Sequence, residues 1–425
     1  MITISKNERI IEREIYIEQI KDFIDKPFIK IICGLRRSGK SSILNLIMSE
    51  VLKTSDEAHI IRINFEEIEN QWIKSNDQLN EYLLSKIKDD GRYYLFLGEP
   101  QVVEGWEKSV NGFRLKNSDI YITGSNSKLL SGEFATLLGG RYVTFDIHGL
   151  SFKEFLTFRK EYGLGTADDD KELLEYITTG GFPVLSTMAF GPSAAKRIIE
   201  DINASAVLKD VIERKKLRNP ELLKKLVAFV YDNVGSPVSV NSISKYLKNE
   251  KVGGDNSTIS EYLGYLADAY IIHRARKYDI KGKALLESNE KLYLGEHSLQ
   301  YALFGVRPGA RAGIIENIVY LELKRRGYKV CTGNLKTMYR NSEGKREYKT
   351  LEVDFVAEKN KNKIYIQVCL EFANYETTKS REFAPLMEIN DHYQKYVVTL
   401  DPMWQADENG VKGIHLKDFL LKDNY

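Results

Sequence analysis

The chain has few cysteines and no segment built to enter a membrane. Its three cysteines, Cys33, Cys331 and Cys369, stand far apart in 425 residues, which excludes a disulfide framework and the paired spacing of a zinc site. No stretch approaches the roughly 18 apolar residues that span a bilayer. The opening Met1-Ile2-Thr3-Ile4-Ser5-Lys6-Asn7-Glu8-Arg9 lacks the apolar core of a secretion signal. A cytoplasmic protein without a membrane partner is expected. An excess of one charge is missing too: 62 lysines and arginines face 60 aspartates and glutamates. Any nucleic-acid surface must therefore come from local segregation of charge. A chain this long should divide into roughly two to four domains.

What is present begins with Gly34-Leu35-Arg36-Arg37-Ser38-Gly39-Lys40-Ser41, a complete G-x-x-x-x-G-K-S/T loop directly after the apolar stretch 28–33. The glycines let the backbone wrap phosphates so that successive N–H groups point inward. Lys40 places a cation on the β and γ oxygens, and Ser41 offers a hydroxyl to Mg²⁺. Ser42 opens the helix that must follow. The loop predicts that a nucleoside triphosphate is held at Gly34, Arg36, Arg37, Ser38, Gly39, Lys40, Ser41 and Ser42.

Apolar stretches at 28–33, 59–65, 93–97, 119–123 and 142–145 alternate with helical patterns. That pattern predicts a parallel sheet covered on both faces, with the ligand at the strands' carboxyl ends. The third stretch runs Leu95-Phe96-Leu97-Gly98-Glu99. A phosphate-loop enzyme needs an Asp for the Mg²⁺ shell there, then a Glu to activate water. Glu99 stands where the base belongs, but the metal carboxylate is replaced by Gly98. Adjacent strand residues point to opposite faces, so Glu99 cannot serve both purposes. Slow or absent turnover with nucleotide binding retained is expected; a plain turn at Gly98-Glu99-Pro100 is the other reading. Asn126 is placed to sense the γ-phosphate or to cap a helix. Arg141 is placed to neutralise transferred charge or to pair structurally.

In order along the chain, the phosphate loop with its paired arginines, Leu95 to Glu99, Ile122-Thr123-Gly124-Ser125-Asn126, Gly140-Arg141-Tyr142, Leu150-Ser151-Phe152-Lys153-Glu154-Phe155 and Gly180-Gly181-Phe182-Pro183 resemble the prokaryotic AAA-type ATPases that carry a C-terminal domain of unknown function. The resemblance implies ATP with Mg²⁺ as the cofactor and an extra strand between the two Walker strands. It also implies catalysis at Glu99 and sensing at Asn126 and Arg141. Gly98 departs from that pattern.

The fold class expected is α/β: a P-loop NTPase parallel-sheet core over 1–155, a helical lid over 156–219, a winged-helix middle domain over 220–285, and an α/β restriction-endonuclease-like domain over 286–425. Three helical patterns from Glu221 to Ala269 precede a strand pair, the order of a winged helix-turn-helix. Ser257, Thr258, Ser260 and Tyr262 would lie on or near the exposed face of its third helix. Lys245, Lys248, Lys251, Arg274, Arg276 and Lys277 would give local positive charge for DNA phosphates. Further on, Glu316 in a helix, Asp354 in a strand and Gln367-x-Cys369 in the next strand follow the outline of a metal-dependent nuclease. Glu316 and Asp354 are candidate metal ligands, or members of a structural helix–strand network. Gln367 is at best a neutral ligand, however, and Cys369 cannot supply the cation.

The leading expectation is an ATP-binding protein whose nucleotide occupancy controls the winged-helix and nuclease-like module. Two alternatives stay open. One is an active ATPase in which Glu66 or Glu67 replaces the missing carboxylate. The other is a metal-dependent DNA nuclease regulated by ATP. Expected partners are ATP, DNA through the winged helix or the nuclease-like domain, and a protein partner or second copy of the chain.

Overall fold

The computed structural model describes residues 10–125, 138–213, 215, 217, 219–305, 311–340, 345–370, 375–401, 407–423 and 425. Two compact units emerge, one of Met1–Gly149 with Asp268–Tyr270, the other of Leu150–Ala267 with Ile271–Tyr425.

The first unit is built on strands β1 (Ile29–Cys33), β2 (Ile60–Asn64), β3 (Tyr93–Gly98), β4 (Ser118–Gly124) and β5 (Tyr142–Asp146). They form a five-stranded sheet in the order β2-β3-β4-β1-β5, and every pairing is parallel. β1 and β3 are buried along their whole length, as strands covered on both faces must be, which is why they read as continuous apolar runs. The helix Lys40–Val51 packs one side through Ile43, Leu44, Ile47 and Met48, in a core shared with Phe96 and Tyr121. Those two rings stack at 4.7 Å. One buried charge interrupts this core: Lys30 on β1 pairs with Asp119 on β4. Asp119 also accepts from the Tyr121 hydroxyl at 2.8 Å and from the Asp25 N–H at 2.9 Å. Such a pair is tolerated only because its remaining lone pairs are satisfied.

β4 lies between β1 and β3, so one strand separates the phosphate-loop strand from the strand that ends at Gly98, as the resemblance implies.

In the second unit, helices come first. Ser151 and Glu154 form a reciprocal capping box that starts the helix Phe152–Glu161, which gives the Leu150 to Phe155 motif a local physical role. Gly180 and Gly181 also have a packing role: a Cβ on Gly180 would stand 2.3 Å from Ser298 Oγ, and one on Gly181 would stand 2.4 Å from the Leu150 carbonyl oxygen.

Helices Pro220–Asp232, Val240–Asn249 and Asn256–Asp268 follow, with the short strand β6 (Pro237–Val238) between the first two. β7 (Ile272–Asp279) and β8 (Ala284–Leu294) then form an antiparallel hairpin. β8 runs through residue 285, the expected end of the middle domain, and pairs with β6. β7 joins β9 (Lys329–Arg340) in parallel, so the hairpin is continuous with the sheet that follows. β10 (Arg346–Lys359), β11 (Asn362–Cys369), β12 (Gln394–Thr399), β13 (Asp407–Glu408) and β14 (Val411–His415) complete nine strands in the order β13-β14-β12-β11-β10-β9-β7-β8-β6.

The helix Arg311–Arg325 packs against this sheet and is buried at Ile314, Ile315, Ile318, Val319 and Leu321. Asn317 fixes it to β8: its side-chain amide donates to the Leu294 carbonyl at 3.0 Å, and its oxygen accepts from the Leu294 N–H at 2.6 Å. Among the described residues, no helix is long and apolar enough to cross a membrane.

Candidate nucleotide site and a lysine-filled carboxylate cluster

β1 ends at Cys33 and the chain turns at once into the loop. Gly34 (φ +149°) passes so close to the 147–149 segment that a Cβ would stand 2.1 Å from the Ile147 carbonyl oxygen. Gly39 takes φ +97°, the left-handed region that favours glycine, immediately before the helix Lys40–Val51. No carboxylate lies in that helix's first turn, so its free N–H groups and positive dipole end suit an anion. The Lys40 ammonium is drawn back into the loop, donating to the Gly34 and Leu35 carbonyls, each at 3.0 Å. Ser38 Oγ is buried with no hydrogen-bond partner among the described residues. Ser41 and Ser42 are exposed on the first turn, Arg37 is exposed and Arg36 is half-buried. A folded-back cation, an orphaned buried hydroxyl and an acid-free helix start together fit a polyphosphate.

Arg13, which the sequence reading passed over, braces this loop from outside. Its side chain is 1% exposed. The guanidinium donates to the Ser38 carbonyl at 3.0 Å, the His148 carbonyl at 3.0 Å and the Gly149 carbonyl at 3.3 Å, and it lies 4.6 Å from the centroid of the Tyr16 ring. The Tyr16 hydroxyl accepts from the His148 N–H at 3.1 Å. No signal marks it in the sequence, because an isolated Arg in a charged N-terminal stretch shows no pattern.

The metal side of the site is thin. Gly98 pairs in register with Asn64 on β2, and a Cβ at Gly98 would stand 3.3 Å from Asn64 Oδ1. That oxygen already accepts from the Glu66 N–H at 3.1 Å. Glu67 is tied to Arg62 at 3.4 Å and to Asn64 at 3.3 Å. Glu66 instead reaches toward the loop, 3.9 Å from the Arg36 guanidinium, with its side chain 59% exposed. Glu99 follows β3 at the same end of the sheet as the loop; its N–H donates to the Thr123 carbonyl at 3.1 Å. Its backbone adopts φ 55°, ψ 48°, an unfavourable conformation for a side-chain-bearing residue, before Pro100 starts a short 3₁₀ turn. The Glu99 carboxylate accepts from the Gln101 amide.

Arg141 is exposed and sits at the opposite end of the sheet, where its carbonyl accepts from the Ile29 N–H at 3.1 Å. The length of β1 separates it from the loop, on the order of 16 Å. Asn126 lies outside the described residues.

A second constellation forms in the other unit, where Glu316, Asp354 and Gln367 come together around a residue that the sequence reading did not anticipate. Lys291 on β8 places its ammonium 2.9 Å from Glu316, 2.9 Å from Glu352 and 3.0 Å from Asp354. The Tyr293 hydroxyl donates to Glu316 at 2.5 Å. Asp354 accepts from the Val368 N–H at 2.9 Å. Gln367 accepts from the Asp354 N–H at 3.2 Å and donates to the buried Glu382 at 2.9 Å.

Burial and the neighbouring Asp354 push the Glu316 carboxyl above its ordinary range, while Lys291 and Tyr293 hold it back. For Lys291, burial works to lower the pKa, but Asp354, Glu316 and Glu352 outweigh it and raise the value. Cys369 points into the apolar core with Phe383 and Leu386. The cation among these carboxylates is Lys291, 76 positions before Gln367, and it stands between them rather than on the Gln367-x-Cys369 strand. No group of three or more His, Cys, Asp or Glu side chains that could hold a metal ion occurs among the described residues.

Around the third middle helix, Lys245, Lys248 and Lys251 are exposed. Arg274 is committed to Glu290 through contacts of 2.7 to 3.0 Å. Tyr262 is buried rather than exposed, its hydroxyl 3.5 Å from the Asn219 carbonyl; it sits on the same apolar stripe as Ile259, Leu263 and Leu266.

A parallel sheet in this strand order, with the phosphate loop after β1, defines the class as a P-loop NTPase. A profile of the AAA domain matches residues 26–156, and one of a domain of unknown function (DUF8612) matches residues 170–310. An uncharacterised protein of Haemophilus influenzae is 37% identical, over 98% of this chain and 100% of its own length. An uncharacterised protein of Methanocaldococcus jannaschii is 35% identical, over 90% of this chain and 82% of its own. Among solved structures, the Walker-type ATPase PABY2304 of Pyrococcus abyssi is similar at a TM-score of 0.49 and 15% identity, covering 69% of this chain and 95% of that one. AMPPCP-bound DnaA from Aquifex aeolicus is similar at a TM-score of 0.28 and 14% identity, covering 59% and 86%. The chain belongs to the prokaryotic family of AAA-type P-loop ATPases with a following domain of unknown function, shared with the Haemophilus and Methanocaldococcus proteins.

Proposed function

We propose that the protein binds ATP at Gly34 to Ser42 and uses nucleotide occupancy, more than rapid hydrolysis, to control the module formed by its winged-helix and nuclease-like segments. The observation that carries this reading is Gly98: its β2 neighbour in register is an asparagine, so neither residue contributes a carboxylate for Mg²⁺, while the loop and Lys40 keep the chemistry of phosphate binding. Phosphate release from Mg²⁺-ATP, measured beside binding of a fluorescent ATP analogue, tests it. Tight binding with turnover far below 1 s⁻¹, the low end of ordinary enzyme rates of roughly 1 to 1,000 s⁻¹, is expected. Ordinary turnover would overturn the claim about Gly98.

A second reading rests on Glu66. Its exposed carboxylate near Arg36 is a candidate substitute for the missing Asp, which would restore hydrolysis. Glu66→Gln then removes turnover while sparing binding. The nuclease-like segment is read as a binding scaffold rather than a cleaving one, because Lys291 occupies the centre of its carboxylates. Arg141 acts on nucleotide only across to a second copy of the chain, given its position beside Ile29.

A further inference from the structure

β9 and β10 are much longer than the sheet they belong to needs. Near the sheet, Val330, Leu335, Val353 and Val356 are buried. Farther out the pair runs on as a two-stranded ribbon in which Lys336, Met338, Tyr339, Arg340 and Arg346 to Thr350 are exposed. The register is Lys336 with Thr350, Met338 with Tyr348, and Arg340 with Arg346 on one face, and Thr337 with Lys349 and Tyr339 with Glu347 on the other.

The two faces differ in chemistry. On the second, Tyr339 donates to Glu347 at 2.6 Å and Thr337 donates to Glu388 at 3.1 Å. Outward of the Asn334–Glu352 pair, the first has no acid among its paired residues. It holds Lys336 and the directly opposed Arg340 and Arg346, together with Tyr348 at 66% and Met338 at 47% exposure. Neither arginine has a carboxylate within ion-pair distance among the described residues, and the Lys336 ammonium lies over the Tyr348 ring, 4.9 Å from its centroid. Like charges placed opposite one another destabilise a strand pair, and an anion against this face relieves that repulsion. In a chain of net charge +2, it is the local segregation of charge that composition demanded.

We infer that this face of the β9–β10 ribbon docks duplex DNA. A two-stranded ribbon fits the major groove of B-DNA, about 12 Å wide, whereas the deep, narrow major groove of duplex RNA shuts side chains out. Paired guanidinium groups suit phosphates and guanine edges, and Tyr348 and Met338 supply apolar contact beside them. Five paired positions span about 15 Å, enough to follow several base steps. This inference goes beyond the nucleotide reading and is tested without nucleotide.

The test is fluorescence anisotropy of the full-length protein with a labelled DNA duplex of about 20 base pairs and mixed sequence, titrated at several salt concentrations. The wild type should bind with a steep loss of affinity as salt rises. Arg340→Ala with Arg346→Ala should weaken binding at least tenfold at low salt and reduce the log–log salt slope by about 2, since each neutralised phosphate contributes about 0.9. Both side chains are exposed, and a melting temperature no lower than that of the wild type verifies that the variant is folded. Tyr348→Ala should lower affinity less and leave the slope unchanged. The proposal is overturned by absence of duplex binding in the wild type, by an unaltered slope in the double variant, or by tighter binding of single-stranded DNA or an RNA duplex of the same length.

Discussion

The two units have departed from their expected chemistry in opposite directions. In the first, a carboxylate is missing: β3 ends in Gly98, its neighbour Asn64 is neutral, and the phosphate loop keeps its cation without the metal's anchor. In the second, the carboxylates remain and a cation has been added, with Lys291 filling the space that Glu316, Glu352 and Asp354 enclose. Subtraction leaves a site open to its ligand, because nothing replaces the lost side chain. Addition closes a site, because an ammonium with three short contacts has no donor left for anything else. The chain should therefore respond to nucleotide at one unit and be indifferent to divalent metal at the other.

The largest effect that could break this comparison comes from Lys291→Met. Removing one partner of a buried charge cluster costs about 4 kcal/mol, read as a lower urea midpoint for the second unit. Mn²⁺ should restore part of the loss in the variant and do nothing for the wild type. If Mn²⁺ stabilises the wild type, and Asp354→Asn abolishes that effect, the lysine is not the site's counter-ion. Next in size, Lys40→Ala should weaken binding of an ATP analogue about 100-fold, or about 2.7 kcal/mol, by removing charge-assisted contacts to phosphate. Gly98→Asp sharpens the contrast by reversing the subtraction. A side chain there meets Asn64 at 3.3 Å, a contact that a small rotation relieves, and phosphate release should rise about tenfold, or 1.4 kcal/mol.

The smallest effect is a pH response confined to the second unit. Burial, with Lys324 nearby, lowers the pKa of His273 on β7 to about 3. The unfolded chain takes up its proton near pH 6.5. Between those values the unfolded state binds more protons, so stability is present above pH 6.5 and lost as pH falls. Allowing for the half-buried state of the residue as a whole, the loss at pH 5 is about 1 kcal/mol, and His273→Gln should remove it from the pH profile of urea unfolding.

How much of this was legible differs between the units for the same physical reason. The phosphate loop is contiguous, and its spacing alone predicted a helix start that Gly39 and Lys40 provide. The gap at Gly98 was equally plain, since a strand ending in a fixed motif shows its own deletions. Lys291 could not be found that way: it enters from β8, 25 positions before Glu316 and 63 before Asp354, and only the sheet order brings β8 toward β10 through β7 and β9. Tyr262 stands with Ile259, Leu263 and Leu266 on the buried stripe rather than on the exposed face expected for it, which is where the helical period puts its large ring. Arg141 was legible as a position as well: it precedes a strand expected to run parallel to β1, which puts it at the amino end of the sheet, away from the loop.

Arg13 sets a limit on how portable the phosphate loop is. A fragment begun at β1 would hold every residue of the G-x-x-x-x-G-K-S sequence, yet leave the Ser38, His148 and Gly149 carbonyls without their shared donor. Grafted or excised in that form, the loop would be complete in composition and loose in shape. Any excised piece meant to keep the loop's shape must therefore hold both Arg13 and Gly149.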